Sequence, residues 1–321
     1  MQSAMTDDLP TPDAPLRLGS RGSPLALAQT REARARLMAA FDLPEDAFEI
    51  VPIKTTGDRV QDRPLKEIGG KGLFTREIEA ALLDGTIDLA VHSMKDMPVA
   101  QPEGLVLDAY LPRADPRDAF VSLKVAALSD LESGQVIGSS SLRRRAQMLN
   151  RRPDLSVVEF RGNVQTRLRK LDEGVADCTF LAWAGLERLG MTHVARGPVE
   201  PEEMLPAVAQ GAIGIERRED DARTEAMVAA IHDRATAEQL ACERAFLAAL
   251  DGSCETPIAG LALVEDGEIW LRGEILRPDG SESLADEGRA PVTEGAELGR
   301  EVAGRLRARA PDGFFDWLDD S

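Results

Sequence analysis

The sequence predicts an α/β protein, with two doubly wound lobes followed by a small C-terminal α+β domain. Three observations carry this. Strand patterns alternate with helix patterns from Leu16 to about Ile231. Four of those strands run through a small-residue loop into a helix start that bears Arg or Lys. Beyond Ile231 the grammar changes to one long helix, two hairpin signals and a closing helix. A chain of 321 residues is long enough for two or three domains with real cores.

The elements follow in order. The first strand is Leu16-Arg-Leu-Gly19, and Ser23 and Pro24 are an N-cap and first-turn pair for a helix over 25–41. A strand over 48–54 leads to a polar loop over 55–64 and the glycine-rich turn Ile68-Gly-Gly-Lys-Gly-Leu-Phe74. A helix over 75–83 ends at Asp84-Gly85, and a buried strand over 87–92 runs into Ser93-Met-Lys-Asp-Met-Pro98. The second lobe repeats the pattern, with strands over 118–122, 135–138, 157–160 and 178–183. Its helices open at Ser139-Ser-Ser-Leu-Arg-Arg-Arg145, at Val164 and at Gly185. The run 205–215 reads as a strand returning to the first lobe. A helix over 235–250, hairpin turns at Glu265-Asp-Gly-Glu268 and Pro278-Asp-Gly-Ser281, and a helix over 294–308 complete the chain. The expected division is a disordered tail over 1–15, domain 1 over 16–110 with 208–230, domain 2 over 111–207, and domain 3 over 231–321.

Hydrophobic content of 43% and charged content of 29% are ordinary for a soluble protein. No apolar run approaches the roughly 20 residues of a membrane span. The first fifteen residues lack the basic-then-apolar pattern of an export signal. With only three cysteines, this suits a reducing cytoplasm. The net charge of −18 argues against a general nucleic-acid binder. Yet Ser141–Lys170 holds nine basic residues against Asp154 and Glu159, a local net of +7. A basic island in an acidic protein suggests a local anionic ligand, although a solvated helix face is the usual fate of a charge run.

The four basic helix starts sharpen that suggestion. They are Ser20–Ser23 with Arg21, Gly69–Gly72 with Lys71, Ser139–Ser141 with Arg143 and Arg144, and Arg161–Asn163 with Arg167. In open α/β sheets ligands bind at the carboxyl ends of the strands. Helix N-termini offer free N–H groups, and arginine offers a fork matched to carboxylate or phosphate. N-capping explains any one of these loops without a ligand. Four together imply a cleft for a ligand with several anionic groups. Asp96, beside Lys95 and after Ser93, adds a carboxylate that can stabilise a cation or handle a proton. The three histidines show no metal-ligand spacing. Cys178 and Cys242 lie in apolar runs, whereas Cys254 sits on a short loop between Gly252 and Pro257.

These motifs, in this order, resemble the hydroxymethylbilane synthase (porphobilinogen deaminase) family from about Leu16 to the C-terminal helix. The most specific are Gly19-Ser-Arg-Gly-Ser-Pro-Leu-Ala26, Gly69-Gly-Lys-Gly-Leu-Phe74, Ala90-Val-His-Ser-Met-Lys-Asp-Met-Pro98, Gly138–Arg144, Arg161-Gly-Asn-Val164 and the Cys254 loop. The resemblance implies two lobes like those of periplasmic binding proteins and a third domain. It also implies a monomer that condenses four porphobilinogen molecules into a linear hydroxymethylbilane. The family's primer is a dipyrromethane held as a thioether on a loop cysteine, which Cys254 matches. Asp96 matches the catalytic carboxylate. Arg21, Ser23, Lys71, Ser93, Lys95, Ser139, Ser141, Arg143, Arg144, Arg161, Asn163, Arg167, Arg188 and Gln210 match positions at the cofactor and substrate site. Two departures stand out: Glu67 where some members have lysine, with Lys66 one place earlier, and Ala209 where a glycine is expected. A non-catalytic receptor for a small polycarboxylate is the competing reading. Nucleic-acid and membrane partners are not expected.

Overall fold

The computed structural model describes residues 9–59, 74–253 and 256–316. The first elements are β1 (Leu16–Arg21), α1 (Pro24–Phe41), β2 (Phe48–Ile53), α2 (Thr56–Arg59), α3 (Arg76–Leu83), β3 (Leu89–Ser93) and β4 (Leu105–Tyr110). Next come β5 (Asp118–Ser122), β6 (Val136–Gly138), α4 (Leu142–Arg151), β7 (Ser156–Val158), α5 (Val164–Asp172), β8 (Cys178–Ala182), α6 (Trp183–Arg188) and β9 (Gly197–Val199). The last are β10 (Ile213–Arg218), α7 (Ala222–Ala229), α8 (Arg234–Ala249), β11 (Ile258–Glu265), β12 (Glu268–Leu276), β13 (Ser283–Pro291) and α9 (Gly295–Arg309).

The chain separates into two compact units, Met1–Arg113 with Ala212–Ala237, and Ala114–Gly211 with Glu238–Ser321. The first unit is built on a five-stranded sheet of order β2-β1-β3-β10-β4. β1 pairs in parallel with β2 and β3, while β10 is antiparallel to both β3 and β4, so β10 alone runs against its neighbours. Leu16, Leu18, Leu89, Val91, Ile213 and Ile215 from these strands meet Ala33 and Leu37 of α1 in one core. The α1 start is fixed by its cap: Ser23 accepts from the Ala26 N–H at 3.2 Å, and Pro24 fills the first turn. Asp42, at φ 53°, ends the helix in the left-handed conformation.

The second unit repeats the plan in the order β7-β6-β8-β5-β9, with β5 as the reversed strand. The C-terminal segment packs within this unit and keeps its own three-stranded antiparallel sheet, β11-β12-β13. Its first hairpin turns at Asp266 and Gly267, both at positive φ, as the Asp-Gly pair predicts. α9 crosses α8 where Gly299 lies, and a Cβ there would come within 2.3 Å of the Cys242 carbonyl oxygen.

Three sequence expectations need adjustment. The polar loop at 55–64 begins with the single helical turn α2. The returning strand starts at Ile213, not at 205, because Ala209 (φ 59°) and Gly211 (φ 89°) form a turn that no strand can contain. In the segment expected to be a disordered tail, residues 9–15 include a turn closed by two backbone hydrogen bonds between Thr11 and Ala14. Its first eight residues lie outside the described ones.

Candidate active site

In the first unit the carboxyl ends of β1 and β3 and the start of α1 enclose a recess of about 70 Å³. At roughly 10–15 Å³ per water molecule, that accommodates a group of about five heavy atoms. Arg21, Ser23, Gln29, Phe74, His92, Ser93 and Asp96 line it. Arg21 leaves the end of β1 and lays its guanidinium over the Phe74 ring, 4.2 Å from the centroid. Its Nη1 is 4.0 Å from the Asp96 carboxylate, which is about one-third exposed. Asp96 ends a 3₁₀ turn, Met94–Asp96, that follows β3 directly. That turn is pinned because the Met94 N–H donates to the Ala212 carbonyl at 3.1 Å. Gly214 of β10 leaves the space that the Met94 sulfur occupies, since a Cβ there would be 2.2 Å away. Ser93 Oγ donates to Gln29 Oε1 at 2.9 Å. Behind the recess, His92 Nε2 and Glu216 Oε2 make a buried contact of 2.9 Å. Glu79, buried near that pair, is pushed above the ordinary carboxyl range by loss of solvent.

The second unit gathers the other basic candidates. Ser141 caps α4 by accepting from the Arg144 N–H at 3.4 Å, and Asn163 caps α5 by accepting from the Thr166 N–H at 2.9 Å. Ser139 Oγ accepts from the Ser141 N–H at 3.2 Å. Arg143 and Arg144 are buried against Asp118. Arg144 donates to Asp118 Oδ1 from Nε at 3.1 Å and from Nη2 at 2.7 Å, and Arg143 Nη2 lies 2.8 Å from Oδ2. Gln210 Nε2 donates to the same carboxylate at 3.0 Å. Burial alone would raise the Asp118 carboxyl, but the two guanidinium charges outweigh it and hold the group well below its usual range. Arg167 is half-buried, and desolvation, followed by the charge of Arg144, pulls its guanidinium down to about 10. Arg188 Nη2 donates to the Gly211 carbonyl at 3.1 Å.

Arg21, Ser23, Ser93 and Asp96 therefore share one recess, with Lys95 in the same turn as Asp96. Within the second unit, Arg143, Arg144 and Gln210 share the Asp118 carboxylate, and the charge of Arg144 reaches Arg167. Lys71 and Cys254, with Lys66 and Glu67, lie outside the described residues. Sequence reasoning missed Gln29, the His92–Glu216 pair and Asp118 as polar partners. The available signals were Gln29 on the otherwise small-residue start of α1, and Asp118 as an acid opening a strand opposite an arginine-rich helix.

Comparison with known proteins agrees with these motifs. The family described as "Porphobilinogen deaminase, dipyromethane cofactor binding domain" matches residues 16–226. "Porphobilinogen deaminase, C-terminal domain" matches residues 237–308. A porphobilinogen deaminase from Paracoccus denitrificans (strain Pd 1222) is 68% identical over 309 residues, covering 96% of this chain and 99% of that protein. Solved structures with partial likeness include a periplasmic substrate-binding protein of an ABC transporter from Coxiella burnetii, at 16% identity and TM-score 0.42 over 69% of this chain and 93% of that one. Another is immunogenic lipoprotein A from Vibrio vulnificus, at 13% identity and TM-score 0.41 over 67% and 94%.

Proposed function

The chain belongs to the porphobilinogen deaminase family, and from that premise we propose how its residues divide the work of the reaction. The family's transferase reaction joins four porphobilinogen molecules head to tail, loses ammonia at each step and releases the linear tetrapyrrole hydroxymethylbilane. The receptor reading is not favoured by these matches.

Asp96 carries the chemistry. The observation behind this is a carboxylate on a pinned turn, at a recess it shares with the Arg21 guanidinium 4.0 Å away. As ammonia departs, positive charge develops on the substrate pyrrole. Asp96 stabilises that charge through the pyrrole N–H and accepts a proton as the new carbon–carbon bond matures. Arg21 and Ser23 orient a substrate carboxylate from the edge of the recess, and the Ser93–Gln29 hydrogen bond fixes the recess wall.

The dipyrromethane fits the basic residues of the second unit. Its acetate and propionate groups need arginine and hydroxyl donors, and Arg167 is a half-buried cation whose proton affinity is lowered by burial and by Arg144. Arg143, Arg144, Arg161, Arg167, Arg188, Ser139, Ser141, Asn163 and Gln210 form the set that would hold it and the carboxylates of incoming substrate, with Lys71 and Lys95 added by the family motif. When bound, the dipyrromethane supplies the nucleophilic α-carbon to which substrate is joined. Cys254 is the proposed thioether position. Cys178 and Cys242 are buried, and loss of solvent raises both thiols to about 12, which makes them poor nucleophiles. Among the described residues no helix is long and apolar enough to cross a membrane. A monomer in a reducing cytoplasm is part of the proposal.

The test is the intact mass of the denatured protein beside a Cys254→Ser control. The expected result is an excess of two porphobilinogen-derived units in the wild type and none in the control. A bare polypeptide mass that stays bare after incubation with porphobilinogen would overturn the primer assignment.

A further inference from the structure

The second hairpin of the C-terminal sheet is laid along α4. Gly280, in the turn between β12 and β13, has φ 75° and approaches α4 so closely that a Cβ would lie 2.7 Å from the Asn150 nitrogen and 2.8 Å from the Ala146 carbonyl oxygen. Asn150 Nδ2 donates to the Gly280 carbonyl at 2.9 Å. Beside this contact, against the next residues of α4, stands Glu274, a buried carboxylate on β12. It accepts from Gln147 Nε2 at 2.7 Å and from Arg151 Nη2 at 3.2 and 3.3 Å. Gln147, itself fully buried, accepts through Oε1 from Arg143 Nη1 at 3.0 Å. Arg143 Nη1 and Gln147 Nε2 both donate to the Leu205 carbonyl, at 2.9 and 3.1 Å. A continuous run of hydrogen bonds therefore connects Glu274, on the sheet of the C-terminal domain, to Arg143, in the first turn of α4.

We propose that Glu274 is a positioning residue: acting through Gln147, it sets the place of the Arg143 guanidinium and couples the C-terminal domain to the carboxylate-binding start of α4. The proposal rests on the reading of Arg143 as part of the cofactor and substrate site. The Gln147 NH₂ group has two acceptors, the Glu274 carboxylate and the Leu205 carbonyl, and together they keep its oxygen turned toward Arg143. Glu274 also acts electrostatically on the buried Arg143, which shares the Asp118 carboxylate with Arg144. Without Glu274, Gln147 keeps only the longer bond to the Leu205 carbonyl, so its oxygen and the Arg143 fork that donates to it are held less firmly.

A purely structural clamp predicts only lower stability, so the test compares kinetics at a temperature well below unfolding. Glu274→Ala holoenzyme is expected to show KM for porphobilinogen raised roughly fivefold to tenfold, about the net worth of one ordinary hydrogen bond, because Arg143 is loosened and not removed. Asn150→Ala, which loosens the hairpin contact without touching Gln147, is expected to lower the melting temperature and leave KM unchanged. If Glu274→Ala does not fold, Glu274→Gln carries the test. Its amide keeps the shape but lacks the charge, and KM should rise at least about threefold. A variant of either kind with wild-type KM, whatever its melting temperature, overturns the relay. Arg143→Leu is measured alongside. Normal KM and normal cofactor loading there would overturn the underlying site reading instead, and the relay with it.

Discussion

Asp96 has little freedom to be elsewhere. It follows a buried strand by three residues, its turn is held by the Met94–Ala212 hydrogen bond to the residue just before β10, and Pro98 prevents the strand from continuing. Its position at a strand end was readable from Ser93-Met-Lys-Asp-Met-Pro98. Its pairing with Arg21 was not, because β1 and β3 are far apart in sequence and become neighbours only in the sheet. Asp96→Ala should lower kcat by about a hundredfold or more, the usual range for a lost acid–base group. Far-UV circular dichroism should be unchanged, and near-normal turnover would remove Asp96 from its role. Ala209 poses a different question. It takes φ 59° in the turn before β10, a conformation that costs an L-residue roughly 1–2 kcal/mol and glycine almost nothing. Its N–H donates to Glu243 Oε2 at 2.6 Å, so the backbone cannot relax easily. Relief of strain outweighs the extra entropy of an unfolded glycine, and Ala209→Gly should stabilise the protein by about 0.5–1 kcal/mol. A lower unfolding midpoint in that variant would mean the turn is not strained.

At the scale of elements, helix starts were the most legible feature of the chain. Ser23 is the cap its sequence position suggested, and Ser141 and Asn163 cap helices whose starts were read at 139–145 and Val164, since a cap needs only a local hydrogen bond. The start of β10 was less legible: its apolar run begins eight residues early, and only the backbone turn at Ala209 and Gly211 marks the boundary. The state of the arginines on α4 was least legible, because the deciding residue, Asp118, is on another element. Asp118 makes α4 dependent on acid. A carboxyl held below its unfolded value contributes stability that is present above the unfolded pKa near 4 and is lost as pH falls toward the folded value. Wild-type stability should therefore drop as pH is lowered from about 4 toward the folded value. Asp118→Asn should be less stable at pH 7 by about 3–5 kcal/mol, because two buried guanidiniums lose their counter-charge. Its stability should also vary less over that acidic range. Parallel slopes for the two proteins would assign the acid sensitivity to other carboxylates.

The whole molecule combines a net charge of −18 with a local excess of basic residues, and the two act over different distances. Fields between exposed charges are screened beyond about 10 Å at 0.1 M salt, whereas the proposed role of the basic residues is direct contact with ligand carboxylates. The two-lobe plan was legible because each lobe repeats the same alternation of strands and helices. The close packing of the C-terminal segment with the second lobe was not, since it depends on a glycine turn and a buried glutamate that carry no periodic signal. Charge patterning leads to a last expectation. On the proposed assignment, salt would compete for the arginines that hold substrate carboxylates and would not enter the bond-making step at Asp96. Raising potassium chloride from about 0.05 to about 0.5 M should increase KM for porphobilinogen several-fold and leave kcat within about a factor of two. Over the same range a random single-stranded oligonucleotide should show no binding, because the chain offers a polyanion few exposed aromatic rings and an unfavourable overall field. A fall in kcat at constant KM would mean that the charged residues act on the transition state and not on carboxylate capture. The basic island would then be part of the catalytic apparatus itself.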